Sequence, residues 1–321
     1  MMFVQRNNSS AITGSLSLIT LILCGSTFSA FAKELGTVFS PLSLLFLGEI
    51  FIVFFLLFSF GTVPLVRGLF QLKRKEALLI CSIGILVTSS LLLFLTGLER
   101  TSVANAELFW RSELLFLNLL GFFILHELFK KSTLLGGSII LLGIVLVALR
   151  GFADTLTLQI GDILIILSAL GFSIVSIILK KWLHAVAPEV VVLCRSGIAI
   201  LLFFLLSPFT EHTLTNEFMN LPLRLIPVLI GFGFISRFLS ILSFYVTIEH
   251  LKVSTIAFFS PLTMIGSILF AYWYLGEPVH IYHFIGGGMI LIGILLIHVT
   301  GMPANEEHAK AHLKQHHRHL Y

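Results

Sequence analysis

The chain has 321 residues, 57% of them hydrophobic and only 11% charged, where a soluble domain of this length carries roughly a quarter charged side chains. A mean hydropathy of +1.03 makes lipid the expected main solvent, and the small net charge of +4 gives no basic field of the kind that binds nucleic acid. A sizeable soluble domain is excluded, because ten apolar runs consume nearly the whole chain.

A helix needs about 20 residues to cross the roughly 30 Å hydrocarbon core at about 1.5 Å per residue. The first run, 12–32, follows Arg6 and ends in Ala30-Phe31-Ala32, a pattern that a cleaved leader can share. It is read as a retained helix, because Gly14, Ser26, Ser29 and Lys33 reappear 147 residues later as Gly161, Ser173, Ser176 and Lys180. Run 41–61 carries Glu49, run 77–97 is uncharged, and run 104–125 carries Glu107, Trp110, Arg111 and Glu113. Run 134–150 contains Gly136, Gly137 and Gly143. The second half follows with 160–179, then 189–207 with Arg195 and 225–247 with Arg237. Run 254–275 contains Pro261, and run 281–299 contains Gly286, Gly287, Gly288 and Gly293. Connections are short, and Cys24, Cys81 and Cys194 sit inside spans as packing residues, with no disulfide expected.

The chain is written twice. His126-Glu127 through Leu146 returns 150 residues later as Gly276-Glu277 through Leu296, with the two glutamates and three pairs of glycines, 136/286, 137/287 and 143/293, in register. Five spans per copy is an odd number, so the second copy enters the membrane upside down, and two such modules related by an axis in the membrane plane are built to alternate access. The expected fold is an all-α membrane protein with ten transmembrane helices as a 5+5 inverted repeat. Residues 1–150 form the first unit, 151–300 the second, and 301–321 a His-rich tail. With the N-terminus inside, thirteen basic residues face the cytoplasm, among them Lys73, Arg74, Lys75, Lys130, Lys131, Lys180 and Lys181. Only Lys33, Arg100, Arg150 and Arg224 face out, so both termini are expected to be cytoplasmic in the plasma or inner membrane.

The helix-ending glutamate, the short turn, the Gly-Gly pair and the glycine-containing apolar run, seen twice, resemble an EamA-type member of the drug/metabolite transporter superfamily. The second copy is the more typical, from Lys252-Val-Ser-Thr-Ile-Ala through Ser260-Pro261 to Gly276-Glu277-Pro278 and Gly286-Gly287. The first departs from it, with Arg111 aligned to Pro261 and His126 in place of the glycine before the glutamate. The resemblance implies ten helices, a central cavity lined mainly by the first four helices of each repeat, and movement of small organic solutes.

Six charges lie within the spans. Each costs about 2.5 to 3.5 kcal/mol in hydrocarbon on insertion scales, so Glu49, Glu107, Arg111, Glu113, Arg195 and Arg237 need partners or an aqueous cavity. Four residues apart, Glu107 and Arg111 share a helix face and suit an ion pair. Glu113 points elsewhere, so Arg195 or Arg237 is its expected partner, or else it is protonated and available for proton coupling. The arginines suit a carboxylate or phosphate of the solute, while fixed structural pairs remain the competing reading. Trp110 and the aromatics Phe234, Tyr245, Phe258 and Phe259 are candidates for a cavity wall, although most of the 31 phenylalanines must face lipid or pack.

Pro261 marks either a site or a simple kink, and Glu127 and Glu277 are read as caps on terminal amides. The glycines of the fifth and tenth helices allow close backbone approach, within the chain or across a homodimer. His308, His312 and His316 have helical spacing, but a solvated basic tail is favoured over a metal site.

No metal, cofactor or nucleic-acid partner is expected. No nucleophile elbow, metal signature or phosphate loop supports an intramembrane enzyme, and a non-transporting membrane subunit would not need a midplane charge cluster. The expected partners are the lipid bilayer and a small solute such as an amino acid or related metabolite. Single cysteines replacing Met2 and Leu320 in a cysteine-free background should react with an impermeant maleimide only after the membrane is permeabilised. Labelling of either one in intact cells would overturn the assigned orientation.

Overall fold

In hydrocarbon no water is available to bond the peptide groups, so an apolar segment satisfies them internally as a helix. The computed structural model describes residues 8–70, 72–125, 131–149, 159–183, 186, 188–210, 214–251 and 253–301, and among them it is all-helical, with no strand. The expectations placed on His126 and Glu127, on Arg6, Lys130, Arg150 and Lys252, and on the C-terminal histidines fall outside the described residues.

The first half comprises α1 (Asn8–Ser26), α2 (Phe28–Leu35), α3 (Pro41–Phe60), α4 (Thr62–Phe70), α5 (Arg74–Glu99), α6 (Val103–Trp110), α7 (Ser112–Leu125) and α8 (Lys131–Ala148). The second comprises α9 (Ile160–Trp182), α10 (Pro188–Leu206), α11 (Leu214–Met219), α12 (Ile226–Gly231), a π-helical stretch at Phe232–Leu239, α13 (Ser240–His250), α14 (Val253–Phe259), α15 (Pro261–Leu275) and α16 (Ile281–Gly301). Among the described residues seven helical stretches are long and apolar enough to cross a membrane, and α15 and Ile281–Ile297 are shorter apolar helices. Large hydrophobic side chains point away from the bundle, with Phe58 76% and Trp273 81% exposed, while Glu49 is 1% exposed. That inversion of the usual soluble pattern is what a lipid-solvated chain requires.

The duplication is visible in the packing. Helix α8 lies along α16 with Gly136 against Gly293 and Gly143 against Gly286. A Cβ on Gly136 would meet the Gly293 carbonyl oxygen at 2.6 Å, and one on Gly143 would meet the Gly286 carbonyl oxygen at 2.7 Å. Rising numbers on one helix meet falling numbers on the other, so the two run antiparallel. Shifting by 150 residues turns each contact into the other, as a local twofold axis demands. Gly137, Gly287 and Gly288 do not share in this contact: Gly288 faces open space. A second exchanged contact obeys the same symmetry. Ser26 Oγ donates to the Thr263 carbonyl (3.2 Å), and its counterpart Ser173 Oγ donates to the Glu113 carbonyl (2.9 Å).

Three apolar runs expected to be continuous are broken. Thr27 separates α1 from α2, with its hydroxyl donating to the Cys24 carbonyl (2.7 Å) and paired with Ser236 Oγ (2.6 Å). Ser260 separates α14 from α15, where Pro261 has no amide to continue the ladder. Arg111 separates α6 from α7 one residue away from the equivalent position, and its amide bonds back only three residues, to Leu108 O at 3.2 Å. Proline accounts for the break in one repeat. Nothing in the sequence around Arg111 accounts for the other.

Because a side chain at Gly293 would collide with the carbonyl of Gly136 and with the Ile140 side chain, Gly293→Leu should cost about 1 to 3 kcal/mol of packing. The thermal midpoint in detergent should fall by several degrees, whereas Gly288→Ala, which meets nothing within 4 Å, should leave it unchanged. Equal midpoints would show that the α8–α16 contact does not hold the halves together.

Candidate functional site

The break at Arg111 sits beside a cavity of about 220 Å³. Both halves line it: Gly25, Phe28, Ser29, Leu91, Phe94, Glu107, Trp110 and Arg111 from the first, Phe172 and Thr263 from the second. Its size suits a small metabolite better than a drug-sized ligand, for which pockets begin near roughly 300 Å³. Trp110 stands edge-on to Phe94 at 5.1 Å and to Phe172 at 5.0 Å, so three rings from different helices form one wall.

Two charged groups enter this aromatic chamber. Glu107 is buried and accepts a hydrogen bond from Ser29 Oγ at 2.6 Å. The expected Glu107–Arg111 pair is present but long, with Arg111 Nη2 3.5 Å from Glu107 Oε2. A fully engaged guanidinium–carboxylate contact is about 2.7 to 2.9 Å. Arg111 Nε is buried and has no hydrogen-bond partner among the described residues. The Arg111 side chain lines the cavity, and a guanidinium held by so long an internal contact is equipped to receive an oxygen from outside the chain.

Arg195 and Arg237 do not join this group, and neither pairs with Glu113. Both converge on Glu49, because α3 packs against α10 and the π-helical stretch and brings all three to one level. Arg237 Nη2 lies 2.8 Å from Glu49 Oε1, Arg195 Nη1 lies 3.8 Å from the same oxygen, and Ser196 Oγ donates to Oε2 at 2.5 Å. Arg237 Nε also reaches the Gly48 carbonyl at 3.4 Å. A Cβ at 48 would lie 3.0 Å from that Nε, so a side chain there would press the guanidinium aside by a few tenths of an ångström. The cation that acts on Glu113 is Arg111.

Phe28 joins the two centres. Its ring lines the cavity and stacks on Phe232 at 5.7 Å, and the Arg237 guanidinium sits over it at 5.6 Å. Of the wall residues, only Trp110 was legible beforehand. Phe234, Phe258 and Phe259 are well exposed and line no part of the cavity, because their helix faces turn outward, and the side chain of Tyr245 lies outside those described. Phe28, Phe94 and Phe172 carry no charge or motif, so sequence alone offered no signal for them, and Ser29 stood out only as a repeated position. Pro261 is buried at its kink, with Thr263 two residues on at the cavity wall.

One end of the bundle is tied by polar contacts between the halves. Lys33 Nζ bonds Glu277 Oε1 and the Thr101 carbonyl, both at 2.5 Å. Glu277 Oε2 accepts from Val103 N at 2.8 Å, and Thr101 Oγ1 donates to Asp162 Oδ1 at 2.5 Å. Glu277 therefore caps a helix as expected, but the helix is α6 of the other repeat and not the one that follows it. A larger groove of about 650 Å³ runs between α15 and α16. It is lined mostly by apolar residues, with His283 and Tyr272 as its titratable groups and no carboxylate or guanidinium, so its chemistry does not match that of the cavity.

The family model of the EamA-like transporter family matches residues 12–149 and 159–299, nearly the whole chain. A protein of Methanothermobacter thermautotrophicus described as an uncharacterized transporter is 29% identical over 237 residues, which span 72% of this chain and 67% of that protein. A crystal structure of a protein with 16% sequence identity superposes with a TM-score of 0.57 over 90% of this chain and 96% of the other, which shows a shared fold.

Proposed function

The chain belongs to the EamA-like transporter family and is a multi-pass membrane transporter; from that premise we propose that it moves a small zwitterionic solute, such as an amino acid or related metabolite, by alternating access. The observation that carries this reading is the cavity lined from both halves in which Arg111 and the buried carboxylate of Glu107 are held apart at 3.5 Å, beyond the length of an engaged ion pair. A solute carboxylate would take the guanidinium, and its ammonium group would take Glu107 in place of the 3.5 Å internal contact. The two charges of the solute would then neutralise those of the site, and the rings of Trp110, Phe94 and Phe172 would close around its carbon skeleton.

In this reading residues 1–150 and 151–300 are the two five-helix units of a ten-span inverted repeat, with both termini in the cytoplasm of a plasma or inner membrane. The paired Gly136–Gly293 and Gly143–Gly286 contacts supply a rigid spine along which the halves rock. The Lys33–Glu277–Val103 tie would close one end while the other is open, and must separate for solute to pass. Glu113, with no hydrogen-bonded partner among the described residues and only the field of Arg111 upon it, is the carboxyl proposed to carry a coupled proton.

Uptake of radiolabelled amino acids into proteoliposomes tests the site. Removing a charge-assisted contact to a buried group typically costs about 1.5 to 3 kcal/mol, so Arg111→Ala should lower uptake roughly 10- to 100-fold with unchanged insertion and melting. Undiminished flux would remove Arg111 from the solute path. Proton coupling has its own readout. Wild-type flux should change when a pH gradient is imposed, and Glu113→Gln should transport at a rate indifferent to that gradient. A gradient response that survives in Glu113→Gln would assign coupling elsewhere.

A further inference from the structure

The six intramembrane charges do not form one neutral set. They divide into two groups with no mutual contact: Glu107 and Glu113 are acted on by Arg111, and Glu49 by Arg195 and Arg237. The first group holds two acids and one base, the second one acid and two bases. Their imbalances differ in kind. A carboxyl in excess can protonate and become neutral, whereas an arginine keeps its charge in a protein. The Glu49 centre therefore carries at least one unmatched positive charge whatever the protonation of Glu49.

That charge lies deep. Counting along each helix at about 1.5 Å per residue, Glu49, Arg195 and Arg237 all fall within about 6 Å of the middle of their spans, Pro41–Phe60, Glu189–Phe209 and Leu223–Phe244. The two arginines are close enough to repel one another. Arg237 is occupied, with its Nη2 on Glu49, its Nε on the Gly48 carbonyl and its face on Phe28. Arg195 is not. Among the described residues its contact is the 3.8 Å approach to Glu49, beyond hydrogen-bond length, which leaves its donor fork free of them with the side chain 18% exposed.

We infer that Glu49, Arg195 and Arg237 form an anion-binding site within the membrane, separate from the Glu107–Arg111 pair, which accepts one singly charged group such as a halide ion or a carboxylate on the free fork of Arg195. The site rests on local charge balance and not on the identity of the transported solute. It deepens the transport reading by adding an anion that is bound when the centre is loaded. Ser196 and Gly48 serve as positioning groups, Ser196 by holding Glu49 Oε2 and Gly48 by leaving room for the Arg237 guanidinium.

The test uses the full chain in nanodiscs, with thermal midpoints recorded at fixed ionic strength as gluconate is replaced by chloride, and separately with L-alanine or alaninamide in gluconate. A saturable rise with chloride identifies an inorganic anion. A rise with alanine but not alaninamide, retained in Arg111→Ala, identifies the carboxylate of a solute. In either case Arg195→Gln, which leaves Glu49 and Arg237 as a matched pair, should abolish the response while melting as a single folded species. Glu49→Gln raises the excess to two charges and should lower the half-saturating concentration at least about tenfold, a direction that a purely structural role for Glu49 does not produce. No response to any of these probes in the wild type, or an undiminished response in Arg195→Gln, overturns the site. An alanine response lost in Arg111→Ala but kept in Arg195→Gln would overturn it too, and leave the solute chamber standing.

Discussion

Charge inside hydrocarbon has nowhere to go but inward. A carboxylate or guanidinium facing acyl chains loses its hydration with nothing in exchange, so Glu49, Glu107, Arg111, Arg195 and Arg237 meet a partner on another helix or line a cavity. Glu49 binds α3 to α10 and to the π-helical stretch, Glu107 holds α2 through Ser29, and Glu277 ties α6 to the opposite half through Val103 and Lys33. The phenylalanines and tryptophans left on the outside need no such arrangement. The inside-out distribution therefore fixes which face of every helix is buried, and the remaining structure is built on that choice.

Backbone contact supplies what hydrophobicity cannot. Lipid tails are as apolar as leucine, so helices associate in a membrane by close fit, and Gly136, Gly143, Gly286 and Gly293 bring the backbones of α8 and α16 to a separation no side chain would permit. The exchange of Gly136–Gly293 with Gly143–Gly286 under the repeat shift makes this the point where the two halves are most alike. Away from it the halves diverge. The first span is broken at Thr27 while its counterpart α9 is continuous, and the eighth run contains a π-helical stretch while its counterpart α5 does not. These two departures touch, through Thr27 and Ser236, beside Phe28 and Arg237. A widened turn re-aims the side chains that follow it, so loss of symmetry and the placement of Arg237 share one cause.

The breaks at Arg111 and Ser260 show the opposite relation, where different residues produce similar geometry. Proline interrupts one helix by lacking a donor, and at the equivalent level an arginine sits in a tightened turn with its guanidinium in the chamber. Each break frees backbone at membrane depth, which is tolerated where a cavity or a neighbouring helix receives it. The chamber lies beside both, with Arg111 on one side and Thr263 on the other.

Much of this was open to reading in the chain itself. Apolar runs long enough to cross a bilayer, a 150-residue repeat with its glutamates and glycines in register, and charges stranded among apolar residues are all one-dimensional signals. They determine a helical membrane protein made of two related halves with an ionic interior. The i, i+4 spacing of Glu107 and Arg111 likewise predetermines their contact, since a helix places such residues on one face. Pairing between distant helices is another matter. Glu113, Glu49, Arg195 and Arg237 have no spacing rule among them, and only the packing of α3 against α10 and the π-helical stretch decides that both arginines go to Glu49. The aromatic wall was equally hidden, because Phe28, Phe94 and Phe172 differ from the other phenylalanines of the chain in direction alone, and direction is set by helix rotation in three dimensions.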